Sequence, residues 1–170
     1  LGAVGQALAA RLVPLGMRVM ATDVIARSET AEMLGLQRLE NPSKLNEMLP
    51  EADFVISTVT LTPETRGLFN RTVFGRMKPT AFVVNISRGP IVNEEDLLAA
   101  LNAGQIAGAG LDVLNQEPPA ADHPLVNHPK VIVTPHTAGI TRQSFDALGR
   151  AVAGNVERLK KGEPLKNLAS

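Results

Sequence analysis

Three side chains that could carry out chemistry each follow a segment predicted to be a β-strand: Arg88, Glu117 and His136. A guanidinium can bind a carboxylate through two parallel hydrogen bonds. An imidazole can transfer a proton near neutral pH, and a carboxylate can fix its tautomer and favour its protonated form. Singly, Arg88 could be an exposed turn residue, Glu117 a loop charge and His136 a structural histidine. Together they indicate proton transfer on a substrate that carries a carboxylate.

A second group of residues has the spacing of a dinucleotide-binding turn. Gly2 and Gly5 fit the second and third glycines of G-x-G-x-x-G, which allow close approach of a pyrophosphate and close helix–sheet packing. The helix after them would present free N–H groups and a positive dipole end to phosphates. Asp23 lies 18 residues after Gly5, where a carboxylate can accept hydrogen bonds from ribose hydroxyls. The first glycine would lie one place before Leu1, so the fingerprint is partial.

Strands alternate with helices along the chain. The apolar patterns predict strands over 17–22, 53–59, 80–86, 106–113 and 131–133, and helices over 5–15, 28–34, 42–49, 70–77, between Asn93 and Gly104, and over 141–161. This alternation predicts an α/β, Rossmann-like fold, with a doubly wound parallel sheet in three layers. Ligands of such folds lie beyond the carboxyl ends of the strands, where both groups of residues occur.

The predicted sheet lacks its first strand. In the strand order 3-2-1-4-5-6 that strand is central, so a chain that begins at Leu1 would form two half-sheets with nothing between them. We therefore expect residues 1–170 to be a fragment of a longer chain, a nucleotide-binding domain truncated before its first strand.

The composition narrows the functional class. Lys and Arg together number 17, as do Asp and Glu, so the balance of charge does not favour nucleic acid or an anionic membrane. The absence of cysteine excludes disulfides and thiolate metal sites, and no zinc motif is present, so we expect no metal. No apolar run approaches the roughly 18 residues of a membrane span. We expect a cytoplasmic enzyme without nucleic-acid or membrane partners.

Three segments closely resemble the D-isomer-specific 2-hydroxyacid dehydrogenases: 85–94, 109–113 with Glu117-Pro118, and 134–139. The resemblance continues through 162–164 and implies an NAD-dependent enzyme, similar to hydroxypyruvate/glyoxylate reductases or phosphoglycerate dehydrogenases. Such an enzyme transfers a hydride between nicotinamide and a small 2-hydroxy or 2-oxo acid. The resemblance also implies a homodimer and a separate substrate domain, to which residues 162–170 would lead back. We expect a fragment without that domain to be inactive or nearly so.

The resemblance also implies a role for each site residue. Arg88 would hold the substrate carboxylate, His136 would be the acid/base group and Glu117 would support it. The implied cofactor contacts are Gly2, Ala3, Val4 and Gly5 at the pyrophosphate, Asp23 at the ribose, Val59 and Thr60 near the adenosine, and Ile86, Arg88, Asp112, His136 and Gly139 around the nicotinamide. Asp23 favours NAD over NADP because its charge would repel a 2′-phosphate, although Arg27 nearby leaves NADP open.

Two other functions fit the same residues. An NAD-sensing protein, similar to the transcriptional corepressors of this family, would retain all three candidate catalytic residues. Phosphite oxidation on this scaffold also retains them, whereas formate dehydrogenases typically carry glutamine where this chain has Glu117. NADH oxidation with 2-oxo acids would distinguish a dehydrogenase from a sensor.

Overall fold

In the computed structural model, which describes residues 1–168, parallel β-strands form two sheets. The smaller pairs β1 (Met20–Thr22) with β2 (Arg38–Glu40). The larger has the order β3-β4-β5-β6, formed by Phe54–Ser57, Phe82–Asn85, Gly108–Leu111 and Val131–Val133. All of these strands lie in the first of two compact units, Leu1–Pro135; the second begins at His136.

Helices lie between most of the strands, although the segment between β5 and β6 contains none. They are α1 (Ala3–Leu12), α2 (Ser28–Leu34), α3 (Leu45–Met48), α4 (Arg71–Phe74), α5 (Glu94–Asn102) and α6 (Arg142–Lys161). The N-caps of α4, α5 and α6 are Asn70, Asn93 and Thr141. Their side chains accept hydrogen bonds from amides of the first turn. The chain leaves α6 at Gly162, whose φ of 69° suits glycine.

A cleft separates β1 from β3. Among the described residues, no strand pairs with both of them, so the expected two half-sheets are confirmed. The cleft has a volume of about 660 Å³, and its lining is largely apolar, with Leu8 from α1, Met20 from β1 and Val55 from β3. The inner edges of both sheets therefore face an apolar space.

The core lies on one face of the larger sheet. Val83 and Ala109 point from β4 and β5 into a cluster that includes Phe74 of α4 and Leu97 and Leu101 of α5, all buried. Burying a side chain of this size contributes about 1.5–3 kcal/mol relative to leaving it exposed. This packing fixes β4 and β5, which carry the segments leading to Arg88 and Glu117.

The structure differs from the predicted elements in several respects. β2 was not predicted, and β1 and β3 to β5 are shorter than their apolar patterns. The helix predicted over 70–77 extends only over Arg71–Phe74. The 53–59 segment was expected to be covered on both faces, but Phe54 is 51% exposed and stacks on Phe82, with 5.7 Å between ring centroids.

In the second unit, the apolar stripe of α6 is exposed. Among the described residues, no helix is both long and apolar enough to cross a membrane.

Candidate active site

The carboxyl ends of the strands of the larger sheet are aligned. In its register, Ser57 of β3 lies beside Asn85 of β4, Asn85 beside Leu111 of β5, and Leu111 beside Val133 of β6. The segments that follow therefore leave the sheet along one edge. Val59 and Thr60 follow β3, Ile86 and Arg88 follow β4, and Asp112 follows β5. This is the edge at which ligands bind open α/β sheets.

Buried polar side chains shape the turn that carries Arg88. The Asn85 side chain, 0% exposed, donates from Nδ2 to the Arg88 carbonyl at 2.9 Å and accepts from the Ser87 amide at 3.1 Å. Ser87 Oγ donates to the Ser57 carbonyl at 2.9 Å, which ties the turn to β3. Arg88 itself is exposed, and its Nη1 donates to the Ser87 carbonyl at 2.6 Å. The backbone beneath the guanidinium is thus fixed, while the side chain faces solvent.

The loop after β5 packs directly against this turn. A Cβ on Gly89 would lie 2.1 Å from the backbone carbon and oxygen of Leu114, so only glycine permits this approach. Within the same loop, Glu117 Oε1 accepts a hydrogen bond from the Leu114 amide at 3.0 Å. Asp112 is buried, and its Oδ1 accepts from Thr134 Oγ1 at 2.5 Å, which joins the ends of β5 and β6. The segments that carry Arg88 and Glu117 are therefore in contact through Gly89.

His136 is the first residue of the second unit and follows β6 by three positions. It is exposed and has a φ of 53°, in the left-handed region that residues other than glycine rarely adopt. Gly139 lies three residues further, where its carbonyl accepts a hydrogen bond from Ser144 Oγ at 2.8 Å. The first unit thus contains Arg88 and Glu117, whereas His136 and Gly139 belong to the second.

The glycine turn forms the start of α1. Gly2 is the N-cap, and a Cβ there would have no atom within 4 Å, so the space beside it is open. A Cβ on Gly5 would lie 2.9 Å from Thr58 Oγ1, which is the close helix–sheet packing that the third glycine of the fingerprint permits. Ala3 and Val4 are exposed in the first turn. The helix start, with its orphan N–H groups, therefore lies beside the end of β3 and fits a pyrophosphate.

Asp23 directly follows β1, as predicted. Its Oδ1 accepts a hydrogen bond from the Ile25 amide at 2.8 Å, which favours the charged form of the carboxyl. An ionised carboxylate in this position suits ribose hydroxyls and repels a 2′-phosphate. The chemistry of the donors and acceptors thus fits a dinucleotide such as NAD.

Comparison with known proteins assigns the family. Residues 1–138 match the family described as D-isomer specific 2-hydroxyacid dehydrogenase, NAD binding domain. The chain belongs to this family. It is an NAD-binding domain of the 2-hydroxyacid dehydrogenases, and the resemblance of segments 85–94, 109–113 and 134–139 is confirmed.

Individual relatives cover this NAD-binding domain almost completely. It is 38% identical to the glyoxylate reductase/hydroxypyruvate reductase of Homo sapiens over 97% of the chain and 49% of that protein. A D-isomer specific 2-hydroxyacid dehydrogenase family protein from Klebsiella pneumoniae 342 has a TM-score of 0.89 and 36% identity, over 99% of the chain and 52% of that structure. D-lactate dehydrogenase with NAD⁺ from Lactobacillus jensenii has a TM-score of 0.88 and 29% identity, over 100% of the chain and 53% of that structure.

These comparisons confirm the Rossmann-like α/β fold and NAD as the cofactor of the family. The chain spans about a third to a half of the length of the curated relatives it matches.

Sequence reasoning missed the residues that support the site. Ser57, Asn85 and Ser87 are buried polar side chains at strand ends, and polar residues inside apolar runs were the available signal. His123, which lies in a proline-bounded loop, also has a carboxylate neighbour. Its Nε2 lies 3.4 Å from Glu94 Oε2, and its side chain is only 15% exposed.

Proposed function

We propose that residues 1–170 are the NAD-binding part of an oxidoreductase that transfers a hydride between nicotinamide and a small D-2-hydroxy or 2-oxo acid. The contact of Gly89 with the Leu114 backbone carries this proposal, because it brings the Arg88 turn against the Glu117 loop. Membership of the 2-hydroxyacid dehydrogenase family supports it independently.

Each candidate catalytic residue has one role in the proposal. Arg88 binds the substrate carboxylate through its forked guanidinium, above a backbone that Asn85 and Ser87 fix. His136 delivers a proton to the substrate carbonyl oxygen in reduction and removes it from the hydroxyl in oxidation. Glu117 holds the His136 ring in the tautomer that this step requires. Bound nicotinamide supplies or accepts the hydride.

The proposed cofactor contacts follow the edge of the sheet. The turn at Gly2, Ala3, Val4 and Gly5 holds the pyrophosphate, and Asp23 accepts hydrogen bonds from the adenosine ribose. Val59 and Thr60 lie by the adenosine, while the nicotinamide end is held by Ile86, Arg88, Asp112, His136 and Gly139. The charge of Asp23 makes NAD the preferred nucleotide over NADP.

The proposal extends to the parent protein. A strand from outside residues 1–170 fills the cleft between β1 and β3, because both sheet edges and the apolar lining are open to it. The segment 162–170, whose last two residues lie outside the described part, leads back to a substrate domain. We further propose a cytoplasmic homodimer, on the resemblance and the composition.

Nucleotide binding can be tested on the chain itself. Titration of NADH, followed by its own fluorescence, should give an affinity that Asp23→Ala lowers at least about tenfold, because a charged acceptor of ribose hydroxyls is lost. Asp53→Ala removes the same charge at the amino end of β3, beyond the opposite edge of the sheet, and should leave the affinity unchanged. Equal effects of the two variants would remove Asp23 from the ribose site.

Catalysis can be tested in a protein that joins this chain to a substrate domain of the family. With glyoxylate, hydroxypyruvate and pyruvate as substrates, His136→Ala should lower kcat at least about 100-fold and leave NADH binding unchanged. Turnover that survives the substitution would refute the proton-transfer role. NADH binding without turnover of any of these acids would favour the NAD-sensing alternative, whereas reduction of NAD⁺ by phosphite would favour phosphite oxidation.

A further inference from the structure

Glu94, the first residue of α5, joins two loops through its two carboxylate oxygens. Oε1 accepts a hydrogen bond from the Asn115 amide at 2.7 Å, and Oε2 lies 3.4 Å from His123 Nε2. The side chains of Glu94 and His123 are 19% and 15% exposed, so the pair is largely shielded from water. Glu94 also carries a negative charge in the first turn of α5, where the helix dipole stabilises it.

The hydrogen bonds of His123 define which ring nitrogen faces Glu94. Nδ1 accepts a hydrogen bond from the Leu125 amide at 3.3 Å, so the proton of a neutral ring is on Nε2. Nε2 therefore carries the proton and lies 3.4 Å from Glu94 Oε2, so the carboxylate has the Asn115 amide at one oxygen and the His123 ring close to the other. Leu125 is 0% exposed and belongs to the hydrophobic core, which anchors this side of the arrangement.

Two consecutive amides of the loop after β5 are held by two carboxylates. The Leu114 amide donates to Glu117 Oε1 at 3.0 Å, and the next amide, that of Asn115, donates to Glu94 Oε1. The peptide between Leu114 and Asn115 also packs against Gly89, next to Arg88. Any displacement of the Asn115 amide would thus move the backbone that orients Glu117.

We propose that Glu94, held in place by His123, is a positioning residue that orients the Glu117 carboxylate. This inference rests on the proposed function, in which Glu117 supports His136. Glu94 does not bind substrate or cofactor; it acts through the peptide that it holds. The other acids of the same turn act differently, since Glu95 is exposed and Asp96 accepts a hydrogen bond from the Arg71 amide at 3.0 Å.

The first experiment measures amide hydrogen exchange by NMR in the ¹⁵N-labelled chain, without reference to catalysis. Glu94→Ala should accelerate exchange of the Asn115 amide at least about tenfold, because a charge-assisted hydrogen bond is lost. His123→Asn should accelerate it by less, since asparagine can still accept from the Leu125 amide but cannot reach Glu94. The matched control Glu95→Ala removes the same charge from the same helical turn and should change nothing. An unchanged Asn115 rate in Glu94→Ala would overturn the proposal.

The second experiment measures turnover in the protein joined to its substrate domain. Glu94→Ala should lower kcat about tenfold, because Glu117 is no longer oriented. Its NADH affinity should be unchanged, and its Tm should be close to that of Glu95→Ala. In a Glu117→Ala background the same substitution should have no further effect, because its action passes through Glu117. Additive losses would overturn the positioning role. His123→Asn provides a second variant if Glu94→Ala folds poorly, and it should show the same dependence on Glu117.

The two proposals fail in different ways. Faster exchange at Asn115 with unchanged kcat in Glu94→Ala, while Glu117→Ala still lowers kcat, would overturn only the role of Glu94. Unchanged turnover in Glu117→Ala would instead refute the proposed function, and with it the inference.

Discussion

Replacement of Asn85 by leucine should destabilise the domain by removing the support of the Arg88 turn. Leucine has a similar size but cannot donate to the Arg88 carbonyl or accept from the Ser87 amide, which Asn85 does at 2.9 and 3.1 Å. Each polar group left without a partner in a buried site costs about 1–3 kcal/mol. Burial of the apolar leucine side chain offsets part of this cost. We therefore expect a net decrease of about 2–4 kcal/mol in the free energy of unfolding.

Thermal or urea unfolding, followed by circular dichroism, measures this change. For a domain of this size, about 2–4 kcal/mol corresponds to a fall in Tm of roughly 4–16 °C. The control is Asn102→Leu at the exposed end of α5. Its free energy of unfolding should stay within about 0.5 kcal/mol of that of the unsubstituted chain. A loss for Asn85→Leu no larger than that of the control would refute the assignment of these hydrogen bonds as the support of the turn.

Three further substitutions test neighbouring parts of the site. Gly89→Ala should both destabilise the domain and lower turnover, because its Cβ would overlap the Leu114 backbone; a normal Tm would contradict the close packing. Arg88→Lys should leave Tm unchanged but raise KM for carboxylate substrates at least about tenfold, since a point charge cannot replace the guanidinium fork; unchanged kinetics would remove Arg88 from the substrate site. Asp23→Asn should weaken NADH binding by less than Asp23→Ala does, because the amide oxygen can still accept from ribose hydroxyls but carries no charge; equal losses for the two variants would contradict this account.

Local chemistry made much of the fold predictable. Asn93 and Thr141 precede helices whose first turns need hydrogen-bond acceptors, and both act as N-caps. The segment 131–133 coincides with β6. By contrast, β2 has charged residues at both ends and exists because it pairs with β1, which is information held in tertiary contacts rather than in its own pattern.

The candidate site was predictable only where the chemistry lies in a side chain that follows a strand. For that reason Arg88 and Asp112 follow strands of the larger sheet at its expected edge, and Asp23 follows β1 of the smaller sheet. The supporting contacts join residues that are distant in sequence. Glu94 and His123 meet only after α5 and the 121–128 loop have packed, and no local pattern of either segment records the other.

The open edges of β1 and β3 have a consequence for handling the purified chain. Unpaired strand edges that face an apolar gap are templates for a strand of another molecule. Concentrated solutions should therefore form oligomers by intermolecular strand addition. The fraction of the chain in oligomers should rise with protein concentration. A short apolar peptide supplied in excess should compete for the gap and return the chain to a monomer in sedimentation experiments.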